Sequence, residues 1–194
     1  MKYLPILAAV LLGACGKSTP PPPQTPAAKA PSAVTHSSLP GSAPANPGFE
    51  QPATENGIPG WTQTQHAGAQ AYSMTVDSEG AYAGHGSFHM KRTQVQEYGT
   101  LQQFVDARPY AGKTVELSAM LKSHGVGPQG WKLFVSAGMP GAMAYSKGLT
   151  GDSGWTRDSV RLKVPARASE LTIGVTLLDA GEGWMDDVML KPVD

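Results

Sequence analysis

From residue 113 to the end of the chain one pattern recurs: apolar and polar residues alternate singly in short runs, and turn-forming residues separate the runs. Residues 113–122 (KTVELSAMLK) place Val115, Leu117, Ala119 and Leu121 on one face and Thr114, Glu116, Ser118 and Lys122 on the other. A period of two is that of a half-buried β-strand. Residues 155–164 repeat it with Val160, Leu162 and Val164 inward, and residues 170–178 with Leu171, Ile173, Val175 and Leu177 inward. Shorter strand candidates lie at residues 71–76, 87–92, 99–105 and 130–137. No segment has a helical period, and 23 Gly and 17 Pro supply the turns. Such a series predicts an all-β chain, an antiparallel β-sandwich.

The closing run, GWMDDVML at residues 183–190, carries the chemistry. Read as a regular strand, it puts Trp184, Asp186, Val188 and Leu190 on the core face and Met185, Asp187 and Met189 on the other. Asp186 then leaves water, and a buried carboxylate costs several kcal/mol unless hydrogen bonds or a cation offset it. The complementary group is sought at the opposite end of the folded part, in NPGFE, where Glu50 follows Gly48 and Phe49. First and last strands of a sandwich often lie side by side. The expectation is that Glu50 and Asp186 share one Ca²⁺, an ion that takes hard oxygen ligands.

The N-terminal part is of a different kind. Lys2 precedes a short apolar run that is too brief to span a bilayer, so residues 1–14 read as a cleaved signal peptide. Leu12, Gly13, Ala14 and Cys15 resemble a bacterial lipobox, and resemblance to exported lipoproteins implies diacylglycerol on the sulfur of Cys15. Cys15 is the only cysteine, so no internal disulfide competes for it. The same resemblance implies that Gly16, rather than Asp, after the Cys favours the outer membrane where the cell is Gram-negative. Residues 15–45 contain no aromatic residue and no periodicity, which predicts a disordered Pro/Ala/Ser-rich linker with a reach of roughly 90 Å when extended. Residues 46–194 form the β-sandwich domain. The formal charge is zero, with 15 basic and 15 acidic residues, which argues against nucleic acid as a partner.

Within residues 46–190, NPGFE, GAYAGHGSFHM, YAGKTVELSAML, GWTRDSVRLKVPARASELTIGVTLL and GWMDDVML follow one another in the order seen in galactose-binding-like jelly rolls. The chain resembles the carbohydrate-binding modules attached to xylanases and cellulases. That resemblance implies a structural Ca²⁺ held by Glu50, by Asp186 and by backbone carbonyls of residues 82–84, near Tyr82 and Gly84. It also implies a concave face that carries glycan. Sugar binding needs aromatic platforms flanked by polar side chains. By position Trp131 and Tyr145 are the first candidates, with Gln102 and Arg92 as hydrogen-bonding neighbours.

Three motifs point elsewhere without their required context. GDSGW at residues 151–155 is similar to the nucleophile loop of trypsin-like proteases, but Trp155 replaces the second Gly, and the reading taken is a turn. GVGPQG at residues 125–130 has dinucleotide-loop glycines but no following helix. His85 and His89 would stand roughly 13 Å apart along a strand, too far to share zinc. The expectation is therefore a non-catalytic, lipid-anchored envelope protein whose partner is a polysaccharide or another envelope protein.

Overall fold

Alternation becomes architecture in the computed structural model, which describes residues 41–138 and 141–193. The expected signal segment, Cys15 and the linker up to residue 40 lie outside the described residues. Among the described residues nine strands form: β1 Thr62–Gln65, β2 Tyr72–Asp77, β3 Ser87–Arg92, β4 Gly99–Asp106, β5 Thr114–Ser136, β6 Met143–Tyr145, β7 Leu149–Lys163, β8 Glu170–Leu177 and β9 Glu182–Pro192. All pairings are antiparallel, in the order β1-β4-β8-β5-β9-β3-β2, with β6 and β7 also on β5. The fold is an all-β jelly-roll sandwich.

The strand β5 turns this ribbon into two layers. Its first half pairs with β9, from Val115↔Pro192 to His124↔Glu182, and its last six residues pair with β8, from Trp131↔Leu177 to Ser136↔Thr172. Register shifts at Ser123/Val126 and Val126/Trp131 bend it from one layer to the other. The glycine-rich residues 125–130 fall between two strand candidates of the sequence, and GDSGW reads there as a turn. In the structure these two stretches face each other, Val126↔Gly151 flanked by Trp131↔Leu149, so both are absorbed into the paired strands β5 and β7, with left-handed glycines at Gly125, Gly130 and Gly151.

The inward residues expected on β5, β7 and β8 are inward. Val115, Leu117, Ala119, Leu121, Leu171, Ile173, Val175 and Leu177 are all buried in one core. Each such aliphatic side chain contributes about 1.5–3 kcal/mol on burial. Aromatic rings bridge the layers: Phe88 of β3 stacks on Trp131 of β5 at 6.2 Å, and Phe49 lies 5.8 Å from Phe88 and 5.4 Å from Trp61.

Strand β9 departs from the regular alternation. Met185 and Val188 are both in the core, while Trp184 is only partly buried. Asp187 adopts φ 48°, and the pairing with β5 slips between Ser118 and Met120. This bulge inverts the phase of the strand, so Trp184 is moved from the expected core face to the outer face. There it lies between the parallel ring of His89 at 4.4 Å and the ammonium of Lys122 at 4.4 Å.

Residues 41–45, assigned by composition to the linker, are tied to the domain. Gln103, buried on β4, accepts from Ala45 N at 2.8 Å and donates to Ala45 O at 3.1 Å, and the Tyr110 hydroxyl donates to Ser42 O at 2.7 Å. Backbone groups carry these contacts, which is why apolar periodicity does not signal them.

Candidate functional site

Polar chemistry and shape combine at a carboxylate seam where residues 47–50 meet β9, and in a groove on the layer formed by β1, β4, β8, the second half of β5 and β6.

At the seam, Glu50 and Asp186 come together over Gly48. A Cβ built on Gly48 would sit 3.7 Å from Asp186 Oδ1 and 3.8 Å from Glu50 Oε1. Asp186 is 1 % exposed, and its oxygens accept from the backbone N–H groups of Tyr82 and Ala83, each at 3.0 Å, and of Asp187 at 2.7 Å. Burial pushes its carboxyl above the usual range; the three amides act in the opposite direction. Both oxygens of Glu50 accept from His85 N at 3.0 Å. Gly84 makes that approach possible, because its Cβ would lie 2.0 Å from Glu50 Oε1. Phe49 (φ 54°) and Asp187 (φ 48°), non-glycine residues in the left-handed region, flank the acids and hold the seam in an uncommon backbone shape. Asp187 is itself paired with Arg157.

The turn of residues 82–85, whose carbonyls near Tyr82 and Gly84 were expected to face an ion, meets the two carboxylates with the N–H groups of Tyr82, Ala83 and His85. Its contacts with the acids are through amide N–H, which offsets negative charge without a cation. The two hard carboxylates border a cleft of about 330 Å³ with Pro47, Gly48 and Ala83. That donor type fits Ca²⁺. Among the described residues no cluster of three or more His, Cys, Asp or Glu joins them, so the other oxygens of a six- to eight-fold shell would be backbone and water.

The groove is built by the outward phase of the same strands whose inward phase makes the core. Register aligns Thr64 with Thr100, Thr100 with Thr176, Gln102 with Gly174, Gly174 with Phe134, and Phe134 with Tyr145. The result is a cleft of about 530 Å³ lined by Thr64, Thr100, Gln102, Phe134, Tyr145 and Thr176 together with Tyr98, Met143 and Leu178. Tyr145 is 51 % exposed and lies 6.2 Å from the Phe134 ring, which floors the groove. Gly174 lets that ring settle, since a Cβ there would meet Phe134 Cε1 at 3.0 Å and Leu101 O at 2.2 Å. The Thr100 hydroxyl donates to Thr176 Oγ1 at 3.2 Å, which in turn donates to Gly99 O at 3.1 Å.

Of the four residues singled out for sugar, Tyr145 and Gln102 line this groove. Trp131 does not and is corrected: it is 0 % exposed, its Nε1 donates to Trp184 O at 3.1 Å, and Gly183 has no Cβ so that the indole can pack there. It begins the inward set Trp131, Leu133 and Val135, all 0 % exposed. Arg92 lines a neighbouring basin instead. Phe134, Thr100 and Thr176 were missed, although they are the alternate phase of strands already recognised.

Comparison with known proteins follows this geometry. No family model matches the chain. An uncharacterized HTH-type transcriptional regulator, YbfP of Bacillus subtilis (strain 168), is 29 % identical over 154 residues. The match takes in 75 % of this chain and 52 % of that protein, so the chain spans about half the relative's length. Among solved structures, a family 16 carbohydrate-binding module superposes with a TM-score of 0.53 at 19 % identity, over 72 % of this chain and 95 % of that one. The CBM22-1 xylan-binding domain of Paenibacillus barcinonensis Xyn10C gives 0.51 at 15 %, over 81 % and 98 %. The enzymatically active domain of the bacteriophage CBA120 tailspike protein 4 gives 0.60 at 14 %, over 77 % of this chain and 21 % of that one. At such identities the likeness is one of fold, and the fold is the jelly roll shared by carbohydrate-binding modules.

Proposed function

We propose that this chain is a lipoprotein of the bacterial envelope, anchored through Cys15, probing its surroundings with a non-catalytic domain that binds a glycan in the groove of Tyr145 and Gln102. The observation that carries the reading is the groove itself: an exposed tyrosine ring against Phe134, beside a row of threonine hydroxyls and one amide. Aromatic faces take the C–H faces of sugar rings, and hydroxyl and amide groups fix their orientation. The xylan-binding named for one structural neighbour supports glycan as the ligand class. A short apolar leader ending at a single cysteine supports the anchor, with the outer membrane as its site.

The test is a glycan array probed with the purified protein and with Tyr145→Ala. Binding to at least one linear polysaccharide is expected, weakened roughly thirtyfold in the variant, which is the scale of a central aromatic contact of about 2 kcal/mol. An array blank for the protein leaves a protein-interaction module of the envelope as the reading, and binding unmoved by the substitution takes the glycan out of this groove.

In the same proposal Glu50 and Asp186 hold a structural Ca²⁺. The ion would offset the charge of Asp186, which folding takes out of water, and would tie Glu50 in the first turn of the domain to the last strand. EDTA is expected to lower the melting temperature by on the order of 5–10 °C, calcium at about a hundred times its dissociation constant to restore it, and magnesium to restore less. Superimposable melting curves in EDTA and calcium would speak against the ion.

A further inference from the structure

We infer that the glycan groove continues past Tyr98 into a second cleft around Arg92 and Asp179, so that the ligand is an internal stretch of an uncharged linear polysaccharide. This rests on the glycan reading above and extends it to a set of residues that reading does not use.

The second cleft, of about 700 Å³, shares Tyr98 and Leu178 with the groove. The sharing follows from chain order. Tyr98 immediately precedes β4, whose Thr100 and Gln102 line the groove, and Leu178 immediately follows β8, whose Thr176 lines it. The same two paired strands therefore carry one surface into the other. From Gln102 to Tyr98 is four residues, about 13 Å along a strand, which is longer than a single sugar ring. Together the clefts exceed the roughly 1,000 Å³ at the upper end for a compact ligand. An extended ligand fits that shape and a monosaccharide does not.

The second cleft is equipped for hydroxyls. Arg92 and Asp179 are 16 % and 23 % exposed, and Nη1 stands 3.9 Å from Oδ1, beyond direct hydrogen-bond length. Each is fixed separately. Arg92 Nε donates to Gln94 O at 3.1 Å, and Asp179 accepts from Ala180 N at 2.9 Å and Gln129 N at 3.3 Å. A fixed donor beside a fixed acceptor matches neighbouring sugar hydroxyls, one accepting from the guanidinium and the next donating to the carboxylate. Apolar faces flank them: Val95 is 90 % exposed and Tyr98 37 %, the latter braced edge-on by His66 at 5.5 Å.

Charge selects the class. The cleft holds one guanidinium, Arg92, against two carboxylates, Asp179 and Glu97, and His66 is paired to Glu97 at 3.3 Å. A uronate would meet more negative than positive charge. A neutral chain meets a balanced donor and acceptor.

The experiment is calorimetric titration of the purified protein with xylo- and cello-oligosaccharides of two to six residues, and with oligogalacturonates as the charged series. In the neutral series that binds, affinity is expected to rise at least tenfold from trimer to hexamer. Arg92→Ala should remove that gain while leaving the trimer as tight as before, whereas Tyr145→Ala should weaken both. Val95→Asp is the control for folding: its side chain is almost wholly in solvent, so it should melt like the unaltered protein and still lose the gain. Equal affinity for trimer and hexamer, an unaffected hexamer in Arg92→Ala and Val95→Asp, or oligogalacturonates binding as tightly as the neutral series would each overturn this inference and leave the groove intact. No binding of any oligosaccharide, or indifference to Tyr145→Ala, would overturn the glycan reading and this inference with it.

Discussion

Asp186→Ala is expected to lower the melting temperature by roughly 10 °C, while Glu50→Ala lowers it by only a few degrees. The asymmetry follows from what each carboxylate serves. Asp186 is the acceptor for three backbone N–H groups, those of Tyr82, Ala83 and Asp187, in a place that water scarcely reaches. Removing the acceptor leaves donors unsatisfied at about 1–3 kcal/mol each, about 3–9 kcal/mol in all, which the vanished cost of burying a carboxylate brings down to roughly 3–4 kcal/mol. Glu50 is exposed and serves the single N–H of His85. Thermal unfolding of both variants in EDTA isolates this protein-only contribution. Equal shifts for the two, or no shift for Asp186→Ala, would mean that the three amides find other partners.

Trp131→Ala is expected to cost about 3–5 kcal/mol of folding stability and to leave glycan affinity per folded molecule unchanged. The indole fills the space between Phe88 and the Cβ-less Gly183, and its N–H satisfies the carbonyl of Trp184, so truncation opens a cavity and orphans an acceptor together. Urea titration should show a lower midpoint at similar slope, the sign of lost stability without altered compactness. A variant of normal stability that no longer binds would reverse the assignment and put this ring in the groove.

The contrast between these residues shows what a linear reading can carry. The alternation in β5, β7 and β8 is local and uninterrupted, so the core positions from Val115 to Leu121 and from Leu171 to Leu177 could be read directly from the chain. That Glu50 and Asp186 border one cleft was also legible, because a carboxylate among apolar residues demands compensation and the opposite end of the domain offered a second acid. What escaped depends on register. The bulge at Asp187 inverts the facing of β9 and exchanges Trp184 for Met185, and nothing in the order of residues marks it. The bend of β5 likewise hides in glycines that resemble a turn. Trp131 was taken for a sugar platform because it is aromatic and by its position in the resemblance to carbohydrate-binding modules. Its own strand argued otherwise, since Leu133 and Val135 share its phase while Phe134 has the opposite one. The groove lies on the alternate phase of recognised strands, and only the order β1-β4-β8-β5-β6 assembles Thr64, Thr100, Thr176, Phe134 and Tyr145 side by side.

That assembled row is what the functional account depends on. The most direct test is a two-dimensional NMR titration of the isotopically labelled protein with the oligosaccharide that the array selects. Saturable shifts are predicted for the amides of Thr64, Thr100, Gln102, Phe134, Tyr145 and Thr176, with those around Trp184 on the opposite layer unmoved. Shifts centred on Trp184, His89 and Lys122 instead, or a spectrum that does not change at saturating sugar, would contradict it.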